Sequence, residues 1–213
     1  MDEKQILEIL NKLKETKRNF SQSVDIIVNL DKIDIKKQDQ KVDFYHTLTN
    51  GIGRDKKICA LIDQELSDQA KKYCDFVINQ KEFDSYKDKI GKLADEYDFF
   101  VAQANIMTKV AASFGTVLGP KGKMPNPKAG CVVPPKVDLS AVVAELKKKV
   151  RINVKNDPVI RCVVGKENQT NEQVAKNILE IYNALLEKLP KGRENIKNVM
   201  IKLTMSKPIK VEL

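Results

Sequence analysis

The spacing of apolar side chains predicts a helix followed by a strand at the start of the chain. Four apolar residues recur there at the i, i+3, i+4, i+7 spacing of an amphipathic helix: Ile6, Ile9, Leu10 and Leu13. This spacing favours a helix over about the first seventeen residues. Residues 24–30 alternate between apolar and polar side chains, as in a half-buried strand. We expect residues 41–49 to pair with that strand, before Gly51 and Gly53 interrupt the pattern.

The middle of the chain alternates between strand and helix patterns. Short apolar runs at 57–62, 75–79 and 98–103 are separated by helical patterns near 65–73 and 87–96. This order of strands and helices indicates a parallel sheet with crossover helices. We therefore expect an α/β architecture in this region.

A helix and a hairpin follow. Asp138 can cap a helix that carries one apolar stripe: Leu139, Val142, Val143, Leu146 and Val150. Residues 151–165 are typical of a hairpin that turns at the Asn-Asp-Pro sequence of residues 156–158.

The end of the chain predicts one more helix and one more strand. Residues 170–173 are typical of a capping box that begins a helix. The side of this helix that faces the core carries a second apolar stripe: Val174, Ile178, Ile181 and Leu185. Residues 199–205 predict the last strand, and a short basic tail follows Pro208.

The contrast between the middle and the two flanks predicts two domains. We expect a discontinuous outer domain of residues 1–53 and 151–213, and an inserted α/β domain of residues 54–150. A linear order of two or three domains would produce the same periodicities, so the pattern alone leaves both arrangements open.

Positive charge is concentrated in two segments. The chain of 213 residues has 38 Lys and Arg against 29 Asp and Glu, a net charge of +9. Residues 119–151 hold eight basic and two acidic side chains, and residues 188–213 hold seven and two. These segments are either solvated lysine-rich faces or parts of one cationic surface that binds a phosphate backbone.

The sequence lacks the motifs of common nucleotide-binding and catalytic sites. A phosphate-binding loop would need glycine at Val117 and Ser or Thr at Met124. No glycine-rich fingerprint follows the strand at 57–62, and the single histidine, His46, has no partner in sequence that suggests catalysis. We expect no enzymatic activity and no cofactor.

Cysteine spacing and hydropathy favour a reduced cytoplasmic protein. The four cysteines lie far apart, which argues against a metal site and for structural roles: Cys59, Cys74, Cys131 and Cys162. No apolar run approaches the roughly 20 residues that a membrane span needs, and the first residues are too charged for a signal peptide. We expect no membrane association.

The outward side chains of two strands suggest a binding surface. Ser23, Asp25 and Asn29 lie opposite the apolar row of the first strand, and Lys202 and Thr204 lie outward on the last. On this pattern alone, an antiparallel sheet with one solvated face is the favoured explanation. Four lysines around the last strand favour structured RNA: Lys197, Lys202, Lys207 and Lys210.

Four segments carry a family resemblance. They are RNFSQSVDIIVNL from Arg18, LGPKGKMPNPKAG from Leu118, VGKENQTNEQVAKNI from Val164 and KLTMSKPIKV from Lys202. In this order, and over nearly the whole chain, they resemble the ribosomal protein L1 family in its archaeal form. The second and fourth segments are the more specific.

The resemblance implies an α+β outer domain with a split β-α-β sheet that binds large-subunit rRNA, and an inserted, Rossmann-like three-layer α/β domain. It implies a place in the cytoplasm, on the mobile stalk of the large ribosomal subunit, where the protein assists the release of exit-site tRNA. The implied partners are rRNA, exit-site tRNA, other ribosomal components and the protein's own mRNA, whose translation it represses. The free protein is expected to be a monomer.

Two other functions remain open. An RNA-binding regulator that acts off the ribosome would use the same surface. A Rossmann-type nucleotide-dependent enzyme is the more distant alternative.

The resemblance also assigns RNA contacts to eight residues: Phe20, Ser23, Gly165, Lys166, Lys202, Thr204, Met205 and Ser206. Gly165 and Lys166 are the weaker candidates. Ser206 replaces a glycine that the family usually has, and a side chain there is expected to weaken or shift a close contact with RNA. We expect Thr204→Ala to weaken RNA binding with little loss of stability, because water can satisfy an outward hydroxyl.

Residues 118–127 predict a stiff basic loop, because they combine two glycines, three prolines and two lysines. Six residues in and beside this loop are candidates for a second RNA contact or a contact between domains: Lys121, Gly122, Lys123, Met124, Pro125 and Lys128. A purely structural loop is the open alternative.

Overall fold

The protein forms two compact units. The structure, a computed structural model, describes residues 1–15, 18–34, 37, 42–154 and 157–212. Unit 1 comprises Met1–Arg54 and Lys148–Leu213, and unit 2 comprises Asp55–Lys147. No helix within the described ranges is long and apolar enough to span a bilayer.

The chain contains ten strands and seven α-helices within the described residues. The strands are, in chain order, β1 (Ser23–Leu30), β2 (Asp43–Thr47), β3 (Ile58–Ile62), β4 (Phe76–Asn79), β5 (Phe99–Gln103), β6 (Val132–Val133), β7 (Lys149–Asn153), β8 (Val159–Lys166), β9 (Ile196–Leu203) and β10 (Ile209–Val211). The helices are α1 (Glu3–Lys14), α2 (Ser67–Tyr73), α3 (Phe83–Tyr86), α4 (Ile90–Glu96), α5 (Met107–Leu118), α6 (Leu139–Lys148) and α7 (Asn171–Lys188).

Unit 1 is built on a four-stranded antiparallel sheet in the order β10-β9-β1-β8. β8 and β9 flank β1, run parallel to each other and are joined by α7. This is the split β-α-β sheet that the family resemblance implied.

One face of this sheet is covered and the other is open. Val24, Ile26 and Val28 point inward along β1 and are fully buried, whereas the residues between them stay half-buried. The inward side chains share one hydrophobic core with α1 and α7. The Asp2 side chain caps α1, accepting a hydrogen bond from the Lys4 amide at 3.2 Å. Because both helices lie on the same side, the outward side chains of the strands remain available at the surface.

Three expectations for unit 1 are corrected. β2, within the predicted 41–49 segment, pairs with β7 and not with β1, because β8 and β9 occupy both edges of β1. Residues 151–165 do not form a hairpin, since β7 and β8 belong to different sheets; part of the predicted turn, Asn156, lies outside the described residues. The predicted basic tail contains the edge strand β10.

Unit 2 contains a parallel sheet in the order β4-β3-β5-β6. All five residues of β3 are buried, as expected when both faces are covered by helices. Cys59 and Leu61 pack in a cluster with α3, α4 and α5, and α2 contacts β3 and β4. The predicted Rossmann-like α/β class is confirmed.

Unit 2 also contains a helix that the sequence pattern did not predict. In α5, Val110, Phe114 and Leu118 are buried at intervals of four residues, but Ala111, Ala112 and Gly115 dilute the stripe. Val150, assigned to the helix that begins near Asp138, lies in β7 instead.

None of the four cysteines forms a disulfide, and all four lie among the described residues. Cys59, Cys131 and Cys162 are buried and Cys74 is partly buried. Burial raises the pKa of the Cys59 thiol, and burial raises the pKa of Cys74 to about 11. Neither thiol is therefore in its reactive thiolate form near neutral pH.

Candidate nucleic-acid interface

Three distant segments meet at one end of the unit 1 sheet. β1 is antiparallel to both β8 and β9, so its first residues lie beside the last residues of those strands. Ser23 is opposite Lys166, and Val24 is opposite both Gly165 and Leu203. We call residues 20–23, 165–168 and 202–207 the Ser23 end.

The eight residues that the resemblance assigned to RNA all lie at the Ser23 end. Phe20, Thr204 and Met205 are exposed, and most of the others are half-buried. Gly165 differs, because it is buried and a Cβ there would lie 2.8 Å from Gln169 Oε1. Seven of the eight candidates therefore reach the surface, and the glycine serves close packing.

Thr204 binds the first residue of β1. The Ser23 amide donates to Thr204 Oγ1 at 3.0 Å, and the Thr204 amide donates to the Ser23 carbonyl at 3.1 Å. The expectation that water alone satisfies this hydroxyl in the free protein is wrong. Replacing Thr204 by alanine removes a structural contact together with any RNA contact.

Ser206 closes the turn after β9. Its Oγ accepts the Leu203 amide at 2.8 Å and lies 3.2 Å from the Lys207 carbonyl. Among the described residues only Lys32 combines a positive φ with a side chain, so the turn at Ser206 does not require glycine. The serine hydroxyl points back at its own turn and braces it.

Gln22 links all three segments, and sequence reasoning missed it. Its side-chain Oε1 accepts the Met205 amide at 3.1 Å. Its own amide donates to Glu167 Oε2 at 3.2 Å, and its carbonyl accepts the Glu167 amide at 2.9 Å. Gln22 is only 2% exposed. A signal existed in the sequence, because Gln22 is in phase with the inward row of Val24 and Ile26, where a polar side chain needs a buried partner.

Hydrogen bonds that involve Gln169 and Lys14 hold the loop after β8 in place. The Lys166 amide donates to Gln169 Oε1 at 3.0 Å, and Lys14 Nζ donates to the Gln169 carbonyl at 2.8 Å. Burial lowers the pKa of the Lys14 ammonium, and the nearby Glu167 charge opposes this shift. These contacts order the loop that carries Lys166.

Exposed apolar side chains gather on this side of unit 1. In the described part of the chain, four large apolar side chains are exposed. Three lie in unit 1, namely Phe20 before β1, Val163 in β8 and Met205 after β9, and the fourth, Tyr73, lies in α2 of unit 2. Phe20 and Met205 are 52% and 61% exposed. An open cleft of about 350 Å³ lies beside Phe20, and its lining is Arg18, Asn19, Phe20, Ser21, Glu167 and Asn168. Exposed apolar groups beside cations suit a partner that has both sugar and phosphate.

The two units differ in net charge. Unit 1 holds 24 Lys and Arg against 16 Asp and Glu, whereas unit 2 holds 14 against 13. At the Ser23 end, Lys202 is paired across the strands with Asp25. Burial raises the pKa of the Asp25 carboxyl, and the Lys202 charge partly offsets this. Most of the excess positive charge therefore belongs to the unit that carries the Ser23 end.

The Gly/Pro loop of unit 2 is tied to its own unit. Lys121 Nζ lies 2.6 Å from Asp95 Oδ1 and donates to the Gly91 carbonyl at 2.9 Å, and Lys123 Nζ donates to the Tyr97 carbonyl at 2.7 Å. The lysine bond lowers the pKa of Asp95.

The remaining candidates of this second set are Gly122, Met124, Pro125 and Lys128. Pro125 is buried, Met124 packs against the core, and Gly122 has φ +65°. Lys128 is exposed. These contacts support the structural alternative for most of the loop, and a second RNA contact stays a prediction.

The chain is similar to a family of known proteins. A family model described as "Ribosomal protein L1p/L10e family" matches residues 11–207. The chain is 37% identical to large ribosomal subunit protein uL1 of Methanothermobacter thermautotrophicus, over 98% of this chain and 99% of that protein. It is 38% identical to the uL1 protein of Pyrococcus abyssi, over 96% and 95%, and 36% identical to that of Methanothermococcus thermolithotrophicus, over the whole of both chains. The chain therefore belongs to the ribosomal protein L1p/L10e family.

Proposed function

We propose that this protein, a structural and non-enzymatic constituent of the large ribosomal subunit in the cytoplasm, binds large-subunit rRNA of the mobile stalk through the Ser23 end. The observation that carries this proposal is the meeting of seven candidate residues from three distant segments on one surface. A contact built from such separate segments depends on the fold, which favours a specific site over general attraction.

The chemistry of the Ser23 end fits structured RNA. Lys166 and Lys202 supply charge for phosphates, and Ser23 supplies a hydroxyl that can bond a ribose 2′-hydroxyl. Phe20 and Met205 add exposed apolar surface that can pack on sugars or on unstacked bases. These groups can position an RNA backbone and test its shape.

Two further roles rest on the same surface. A similar RNA structure in the protein's own mRNA would compete for the Ser23 end, so translation would be repressed when rRNA is scarce. On the ribosome, a protein anchored through unit 1 would assist the release of exit-site tRNA. Both roles come from the family resemblance and extend the rRNA proposal.

The test compares two lysines on one strand. Lys202 lies at the Ser23 end of β9, and Lys197 lies near the opposite end of the same strand. We expect Lys202→Ala to weaken binding of the stalk fragment of large-subunit rRNA by about tenfold and to reduce the salt slope by about one, because one phosphate contact is lost. Lys197→Ala is the matched control. The sequence pattern grouped Lys197 with the RNA-binding lysines, but it lies away from the Ser23 end, so the variant should bind like the wild type. Affinity is measured by filter binding over a range of salt.

A scrambled duplex of the same length is the control RNA. Equal binding of both RNAs, with a steep salt dependence and no difference between the two variants, would show only nonspecific attraction and would overturn the proposal. Cosedimentation of the protein with large subunits in cell extracts separates a ribosomal constituent from a regulator acting off the ribosome.

A further inference from the structure

The open face of the unit 1 sheet extends beyond the Ser23 end. Strand register places two neighbouring rows of outward side chains on it, the first across three strands and the second across all four. The first row is Lys202–Asp25–Val163, and the second row is Lys210–Met200–Ile27–Arg161. The inward rows on either side are core residues, so these rows face solvent.

Cations stand at both margins of the second row. Lys210 on β10 and Arg161 on β8 are both exposed. Neither side chain makes a hydrogen bond or ion pair with any residue that the structure describes. Across four strands spaced about 4.8 Å apart, the two residues are separated by roughly 14 Å. Together with Lys202, the two rows hold three cations and one carboxylate, Asp25.

The centre of the face is apolar and shallow. Ile27 and Met200 are half-buried between the two cations, and Val163 in the first row is 36% exposed. The seven residues of the two rows include no aromatic side chain on which a single-stranded base could stack. A partner with charge at its two edges and a shallow, wide centre fits this arrangement.

We infer that an RNA double helix lies across this open face with its minor groove towards Ile27 and Met200, so that Arg161 and Lys210 each bind a phosphate of a different strand. This inference rests on the proposed function and extends its footprint from the Ser23 end onto the sheet. The minor groove of A-form RNA is wide and shallow and displays riboses, whereas its major groove is deep and narrow. Apolar side chains can contact the riboses while the cations reach outward to the two backbones.

The experiment removes the positive charge at each end of the second row and keeps a long polar side chain there. Arg161→Gln and Lys210→Gln are made singly and together in the full chain. Binding to the stalk fragment of large-subunit rRNA is measured against salt concentration. We expect each single variant to bind about threefold to tenfold more weakly, with a salt slope smaller by about one, and the double variant to lose about two units of slope.

Lys176→Gln is the matched control. Lys176 is exposed on α7, which packs on the covered face of the same sheet, so the same charge change there should leave both affinity and slope unchanged. Ribose footprinting gives a second readout. The wild type should protect riboses of both strands, and the double variant should lose the protection farthest from the Ser23 end.

The outcomes separate the two proposals. Failure of the wild type to prefer the rRNA fragment would remove the proposed function itself. If the wild type binds and Lys202→Ala weakens binding, but neither Arg161→Gln nor Lys210→Gln changes affinity or slope, the footprint stops at the Ser23 end and this inference is wrong. Loss of incorporation into large subunits without loss of fragment binding would assign the open face to a ribosomal protein and would also overturn the inference.

Discussion

At each end of the unit 1 sheet, a residue with a buried side-chain amide hydrogen-bonds to the backbone of the neighbouring loops. At the Ser23 end, the buried Gln22 binds the Met205 amide and both backbone groups of its own residue engage Glu167. At the opposite end, Asn195 is 1% exposed, its Oδ1 accepts the Lys191 amide at 2.7 Å, and its Nδ2 donates to the Asp31 carbonyl at 3.1 Å. Each amide ties loops to the ends of β1 and β9.

What differs is the surface that each amide supports. The loops at the Ser23 end display Phe20 and Met205, which are more than half exposed. At the Asn195 end, none of the described large apolar side chains is exposed. A buried amide is thus a general way to satisfy loop backbone next to a core, and a function arises only where the supported loops carry a partner's contacts. We call Gln22 a positioning residue for this reason.

Removing the two amides should give the largest contrast. Gln22→Met and Asn195→Leu keep approximate shape and leave backbone donors unpaired, so each should lower the free energy of unfolding by about 1–3 kcal/mol. Only Gln22→Met should also weaken rRNA binding, by about tenfold or more, because the Thr204–Met205 turn is no longer held in place before RNA binds. Urea unfolding and filter binding on the same samples measure both effects.

Amide hydrogen exchange distinguishes positioning from general loss of structure. In Gln22→Met, the Met205 amide should exchange faster while amides in the middle of β9 keep their protection. Equal losses of RNA affinity in Gln22→Met and Asn195→Leu would remove the distinction between the two ends.

The brace at Ser206 should have a smaller effect. Ser206→Ala deprives the Leu203 amide of its partner at 2.8 Å and should cost about 0.5–1.5 kcal/mol of stability, with a roughly twofold to fivefold loss of RNA affinity. Thermal unfolding and filter binding test this. Tighter RNA binding by Ser206→Ala would mean that the hydroxyl obstructs the RNA, as the replacement of the family glycine first suggested.

The smallest expected effect concerns the charge of Asp25. Burial raises the pKa of this carboxyl above its ordinary value, so the folded state binds the proton more tightly than the unfolded state does. Ionisation of Asp25 therefore lowers the free energy of unfolding as the pH rises from the pKa of the unfolded state to that of the folded state. Asp25→Asn should gain stability relative to the wild type as the pH rises above the ordinary pKa of an aspartate carboxyl, and the difference should level off above the raised pKa of the folded state. Urea unfolding across this pH range measures it, and a relative loss of stability would show that the attraction to Lys202 dominates.

Strong local patterns in the sequence predicted elements correctly. α1 and β1 have clean periodicities of 3.6 and 2, because each buries one face against a single core. β3 is a continuous apolar run, as expected for a strand covered on both faces. The helix α5 was missed because small residues line its stripe, and the chain there looks neither clearly helical nor clearly extended.

Pairing across the fold could not be read from these patterns. The strand predicted at 41–49 has the right alternation to join β1, but β1 already has two partners, and β2 pairs with β7 instead. Strand alternation specifies which side chains share a face and does not specify the neighbour, since backbone hydrogen bonds are the same for any partner.

For the candidate site, the order of residues was enough to predict the cationic character, the outward rows of β1 and β9 and, through family motifs, the surface residues at the Ser23 end. The folded chain was needed to show that Gln22 links three segments and that Thr204 and Ser206 bond backbone groups. It was also needed to show that Arg161 and Lys210 lie at opposite ends of one outward row. The physical reason is that the first set depends on side-chain type and local periodicity, whereas the second depends on distances between residues more than a hundred positions apart in some cases. Such distances are set by packing of the whole core and not by any local preference.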